Sequence, residues 1–173
     1  MGEARYVLWL NRLVGEDLRL YRGLVKRLGN EKAVFDAAAA RKNLGLEDDT
    51  HSARFFDAAK EAKIDQYIAW LKRHEIAAVA YLEEGYPPLL KEIYDPPPIL
   101  FVRGRLPEPE KLTIAMVGAR ANTRYGAQVA KEFAFELAAQ GCCVVSGMAY
   151  GIDACAARAA LLAEANTCPT VAV

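Results

Sequence analysis

Histidine is nearly missing from this chain: His51 and His74 are the only two in 173 residues. The four cysteines, Cys142, Cys143, Cys155 and Cys168, form no C-x-x-C pair. So few ligands at such spacings predict no metal site. Cys142 and Cys143 fall in an apolar run, where cysteine acts as a small hydrophobe, and unpaired thiols fit a reducing cytosol. Long apolar runs are also lacking. The stretch Tyr6-Val7-Leu8-Trp9-Leu10 is broken at once by Asn11 and Arg12, too short for a signal-peptide core or a membrane span. The expectation is a cytoplasmic protein with no membrane partner. No low-complexity tract, internal repeat or long charge run occurs. No nucleophile stands beside a base, so neither catalytic residues nor a cofactor is expected, and the chain is read as a non-enzyme. Net charge is absent too, with 22 basic and 22 acidic residues. That balance argues neither for nor against nucleic acid.

The distribution of charge says more. From Arg103 to Lys131 there are six basic residues and two acidic ones. The part before holds 15 against 16, and the part after one against four. A local basic excess therefore surrounds residues 118–124. A hydrophobic fraction of 53% is enough to bury a core.

Residues 4–74 read as helical throughout. Leu18, Tyr21, Leu24, Val25 and Leu28 recur at helix spacing and Gly29 stops the run. Asn30 is a candidate N-cap for Glu31–Ala40, and Asp49, Thr50 and Ser52 for a longer helix. In that helix Phe55, Phe56, Ala59, Ala62, Ile64, Tyr67, Ile68 and Leu71 supply the buried stripe. His51 and His74 read as helix-surface residues. The part is a plain small helical domain or, alternatively, a helix-hairpin-helix module with Gly15 and Gly29 at its turns. Residues 75–173 then read as an α/β domain. Apolar runs at 77–81, 99–104, 112–117, 142–145 and 170–173 predict strands. Helices are predicted from about Tyr125 to Ala139, packing through Val129, Phe133, Phe135 and Leu137, and from Ala154 to Ala165. Pro87 and Pro88 suit a helix start, and Pro96-Pro97-Pro98 forces extended backbone. A last strand with no helix after it leaves one sheet face bare. The chain is accordingly read as part of a longer protein, with cover by a partner as the weaker alternative.

Two strand-to-helix turns carry the chemistry. The first, Gly118-Ala119-Arg120-Ala121-Asn122-Thr123-Arg124, lacks both the G-x-G-x-x-G fingerprint and a GK[ST] Walker end. It offers Gly118 for close backbone approach. Arg120 offers a charge-assisted contact with phosphate, or an ordinary surface salt bridge, and Arg124 adds a second cation. Asn122 and Thr123 offer amide and hydroxyl contacts. The second turn, Ser146-Gly147-Met148-Ala149-Tyr150-Gly151-Ile152-Asp153, adds a donor in Ser146 and small residues at Gly147 and Gly151. N–H groups that open a helix have no partner within it, so paired turns at strand ends suit anions. Asp153 is an N-cap, or it orients Arg120 or a ligand hydroxyl. Tyr125 and Tyr150 stack on bases or are packed.

These residues resemble a known family. Tyr86-Pro87-Pro88-Leu89-Leu90 with Asp95-Pro96-Pro97-Pro98-Ile99-Leu100-Phe101-Val102-Arg103-Gly104 is similar to a segment of the DprA/Smf DNA-processing proteins. Val117-Gly118-Ala119-Arg120 with Tyr125-Gly126 resembles their GSR…YG loop, and Ser146–Asp153 their SG-x-A-x-GID turn. The likeness covers residues 86–173 strongly and the helical part loosely. It implies an incomplete Rossmann-like parallel sheet preceded by a small all-α domain of the sterile-alpha-motif type, with domains at 1–74 and 75–173. It further implies binding of single-stranded DNA, loading of RecA onto it in natural transformation, and a homodimer of the full-length protein. The carried-over positions are Gly118, Arg120, Ser146, Gly147 and Gly151. Ala119 stands where the family usually has Ser, and Ala156-Ala157 where it has a His-containing pair. The alternative is a nucleotide-binding or nucleotide-hydrolysing protein of the related phosphoribohydrolase superfamily. Its PGGxGT loop does not occur in these residues.

Overall fold

A computed structural model of the chain describes residues 4–15, 17–46, 49–60, 63–164 and 167–173, without the side chains of residues 49–51, 60 and 63. Its contacts divide the chain into two units, Met1–Gly104 and Arg105–Val173.

The first unit holds α1 (Ala4–Val14), α2 (Leu18–Leu28), α3 (Glu31–Ala39), α4 (Asp49–Lys60), α5 (Lys63–Arg73), β1 (Ile76–Ala80), α6 (Pro88–Lys91) and β2 (Ile99–Arg103). Local chemistry sets several ends. Asp17 caps α2 through the Leu20 N–H, and Asn30 caps α3 through the Ala33 N–H. Gly29, at φ +106°, closes α2 by donating its N–H to the Val25 carbonyl. Leu10, Val34, Leu44 and Phe55 are fully buried in the helical core, each burial worth about 1.5–3 kcal/mol. The expected single long helix is two helices, α4 and α5. Its stripe from Phe55 to Leu71 does enter the core, and Ala62 lies outside the described residues. Ser52 sits inside α4 rather than at its cap, and the side chains of Asp49, Thr50 and His51 lie outside the described ones. His74 is exposed just past α5, its ring stacked on Trp70 with centroids 4.2 Å apart.

The strands at 76–80 and 99–103 differ from expectation in their partners. They pair with each other, antiparallel, from Ile76 opposite Arg103 to Ala80 opposite Ile99. Ile99 is buried in the helical core, with Ile76 and Ala78 packed against it. The hairpin's apolar face is thus satisfied by the helices. The chain therefore divides after Gly104, not after residue 74. Tyr86, 1% exposed, fastens the hairpin connection by donating its hydroxyl to the Pro97 carbonyl at 2.8 Å.

The second unit is a three-stranded parallel sheet in the order β3 (Thr113–Ala115), β4 (Cys143–Ser146), β5 (Thr170–Ala172). Between the strands run α7 (Arg124–Ala139) and α8 (Ile152–Ala160). The two helices touch each other, so both lie on one face of the sheet. Alanines make that contact: Ala134, Ala138, Ala156, Ala159, Ala160 and Ala163 cluster around Val144 of β4. The expected packing through Phe133 and Phe135 is not found, since these rings are 62% and 40% exposed. In α7 the buried alanines are Ala130, Ala134 and Ala138, at i, i+4 and i+8, which allows a closer helix approach than a phenylalanine stripe. Helix α8 starts two residues earlier than predicted and ends at Ala160; Ala165 lies outside the described residues. Cys143 points from the opposite face, where its Sγ lies 3.9 Å from that of Cys168. No cysteine is in a disulfide. Among the described residues no helix is long and apolar enough to cross a membrane.

Candidate functional site

Parallel pairing of β3 with β4 puts the turns that follow them side by side. The ladder runs on past β3, with the Met116 N–H donating to the Val145 carbonyl at 2.9 Å. Three features then bind turn to turn. Ile152 donates its N–H to the Ala119 carbonyl at 3.2 Å. Asp153 accepts the Gly118 N–H on Oδ1 at 3.2 Å. Gly151 and Gly118 leave room for the contact. A Cβ on Gly151 would stand 2.2 Å from the Ala119 carbonyl oxygen and 2.4 Å from that of Arg120, and one on Gly118 would stand 2.7 Å from the Ile152 side chain. Gly151 also has φ +88° and ψ −127°, a backbone region that essentially only glycine enters.

Asp153, 5% exposed, is one of two buried polar side chains among the described residues. It is not the N-cap of α8; Gly151 holds that position, without a side-chain bond. Two residues further in, within the first turn, the Asp153 carboxylate is met by the Gly118 N–H and by the positive end of α8. It acts as a strut between the turns. Sequence reading left this open because the 35-residue separation of Gly118 and Asp153 carries no local signal.

The expected phosphate-contacting residues separate into two groups. Arg120 and Arg124 are exposed, and neither has an ion pair or hydrogen bond among the described residues. Gly118 and Gly147 are exposed at the turn tips, and Gly151 is partly covered. Two others are turned inward in function. Ser146 is 3% exposed, and its Oγ accepts the Met148 N–H at 3.3 Å. It braces the second turn instead of facing solvent, because it is the last residue of buried β4 and points into the layer. Thr123 is the N-cap of α7, its Oγ1 accepting the Gly126 N–H at 3.0 Å. Asn122 donates to the Thr123 carbonyl at 3.2 Å.

Open donors remain. The N–H groups of Arg124 and Tyr125, in the first turn of α7, have no acceptor among the described residues, and neither have those of Gly147, Tyr150 and Gly151. At the start of α8 the expectation of unpaired N–H groups holds less well. Ile152, Ala154 and Cys155 already donate to Ala119, Ala149 and Gly151. Met148 adopts φ +49°, unusual for a residue with a Cβ, and marks a turn held in one shape. The site thus combines a fixed loop junction with two guanidinium groups and several amides that have no partner among the described residues. That arrangement can hold an extended polyanion. Among the described residues no group of three or more His, Cys, Asp or Glu side chains is placed to hold a metal.

Comparison with known proteins bears on the same region. The family model of DNA recombination-mediator protein A matches residues 77–173. The chain is similar to the DNA processing protein DprA of Bacillus subtilis (strain 168), 36% identical over 126 residues, covering 66% of this chain and 41% of that protein. It is similar to protein Smf of Escherichia coli (strain K12), 35% identical over 109 residues, covering 63% of this chain and 29% of that one. In three dimensions it resembles the X-ray structure of DprA from Streptococcus pneumoniae, with a TM-score of 0.67 at 26% identity, over 98% of this chain and 56% of that chain. The chain spans less than half the length of these curated relatives.

Proposed function

The chain belongs to the DprA/Smf family of DNA recombination-mediator proteins, and from that premise we propose that it binds single-stranded DNA where its two strand-end turns meet. The observation that carries the proposal is the junction itself. Gly118, Ala119, Gly151, Ile152 and Asp153 lock the turns together, and Arg120 stands exposed on them with no acidic partner among the described residues. Arg120 and Arg124 offer charge-assisted hydrogen bonds to phosphate oxygens, and the amides of Gly147 and of the α7 start offer neutral ones. Ser146, Thr123 and Asp153 hold the turns in the receiving shape. Arginine fits the role because its planar fork remains charged and matches a phosphate edge.

The role is binding, with no bond made or broken by the chain. By family membership the reading extends to the whole protein: a cytoplasmic homodimer that handles incoming DNA in natural transformation and recombination, and loads RecA onto the bound strand. Fluorescence anisotropy of the full-length protein with a labelled oligonucleotide tests the DNA contact. Arg120→Ala is expected to weaken binding roughly tenfold or more and to lower the slope of log affinity against log salt by about 0.7. Unchanged affinity and slope would remove Arg120 from the interface.

A further inference from the structure

Phosphate contacts alone do not explain a preference for unpaired strands, since a duplex presents phosphates too. What a duplex hides is the faces of its bases. Two aromatic rings at the loop junction are free to meet those faces. Tyr125, the second residue of α7, is 78% exposed, and Tyr150, the residue before Gly151, is 86% exposed. Neither ring packs on another ring or takes a hydrogen bond among the described residues. Elsewhere Tyr21 and Tyr86 are buried with their hydroxyls bonded and Tyr67 lies against Trp70, while Tyr94, in the first unit, is also fully exposed.

Their placement matters more than their exposure. Each tyrosine adjoins a glycine that sits in the loop contact. A Cβ on Gly126 would lie 3.5 Å from Ile152 Cδ1, and one on Gly151 would meet the carbonyl oxygens of Ala119 and Arg120. Both tyrosines therefore adjoin the same loop junction as Arg120, one in each turn region. Val117 and Met148 on the same turns are also exposed, so the junction carries apolar surface as well as its cations. Exposed rings and exposed guanidinium groups on one loop junction match a single strand, which offers phosphate and open base faces together.

We infer that Tyr125 and Tyr150 are stacking platforms for unpaired bases and set the preference for single over double strands. The inference rests on the reading that DNA phosphates lie at this junction. Anisotropy with the full-length protein tests it on three probes: an oligo-thymidine, an abasic oligomer of equal length, and a duplex. Tyr125→Ala and Tyr150→Ala should each weaken oligo-thymidine binding about tenfold. Tyr→Phe at either position should retain it, and binding of the abasic and duplex probes should not change. Thermal unfolding should be unaltered, because the rings are exposed. Equal losses on the abasic and thymidine probes would overturn the inference, since the rings would then act through loop shape. So would undiminished thymidine binding by the tyrosine variants while Arg120→Ala still loses affinity; the phosphate reading then survives. Undiminished binding by all three variants removes both.

Discussion

Replacing Gly151 by alanine tests the loop junction through two costs that a control separates. Gly141 has nearly the same φ, +90°, but an added Cβ there meets nothing within 4 Å. Gly141→Ala therefore carries backbone strain alone, about 1–2 kcal/mol. Gly151→Ala carries at least that strain, and drives its Cβ to 2.2 Å from one carbonyl oxygen and 2.4 Å from another. These are backbone atoms, so no flexible side chain can swing aside. Overpacking of this kind adds about 1–3 kcal/mol. With a melting-temperature shift of roughly 2–4 °C per kcal/mol, Gly151→Ala should melt about 2–12 °C below Gly141→Ala. To restore an ordinary contact, the first turn must also retreat by about 1 Å, taking Arg120 with it; displacement on that scale costs a positioned group up to about a hundredfold. Calorimetry of both variants, with oligonucleotide anisotropy, provides the readouts. Equal melting temperatures, together with wild-type DNA affinity for Gly151→Ala, would mean that the turns do not meet as described.

Two further outcomes follow from buried ionisable groups. Tyr21 is buried and donates its hydroxyl to Glu31 Oε1 at 2.7 Å, and burial first, then Glu31, pushes its pKa well above the ordinary value of 10.0. The folded state thus holds the phenol proton more tightly. This contribution is complete below about pH 10 and is lost as pH rises toward the folded pKa. Denaturation series across that range should show wild type losing stability more steeply than Tyr21→Phe, and parallel curves would refute the coupling. The Cys143 thiol is pushed up to about 12, by burial and then by the Cys168 thiol. Iodoacetamide at mildly alkaline pH should leave Cys143 unmodified in the folded protein and label it after denaturation, read by peptide mass mapping; rapid native labelling would contradict its burial.

Much of the architecture was legible because it is written locally. Gly29, Asn30 and the Leu18–Leu28 periodicity mark helix ends and faces without reference to distant residues. The strand-turn-helix order around Gly118 and Gly151 is equally direct. What failed to show was long-range. The runs at 76–80 and 99–103 look like sheet strands, but nothing in them says that they pair with each other on the helical unit. The alanine seam between α7 and α8 is silent to a search for large apolar residues, which put Phe133 and Phe135 in its place. At the site, residue type and place in the turns single out Gly118, Arg120, Gly147 and Gly151 as candidates, and the fold sets all four in the two adjoining turns. The bracing roles of Ser146, Thr123 and Asp153 do not show in this way. Ser146 and Thr123 can each donate to a phosphate in principle and Asp153 can cap a helix, and only the fold reveals that their oxygens face the turn backbones.

The central claim is that DNA lies on the junction of the two turns. Titrating isotope-labelled full-length protein with oligo-thymidine and following backbone amide shifts tests it most directly. The account predicts the largest changes at Gly118, Arg120, Arg124, Tyr125, Gly147, Tyr150 and Gly151, with α1–α5 little affected. Saturable binding whose shifts fall elsewhere, and spare Gly118 through Tyr125, would contradict it.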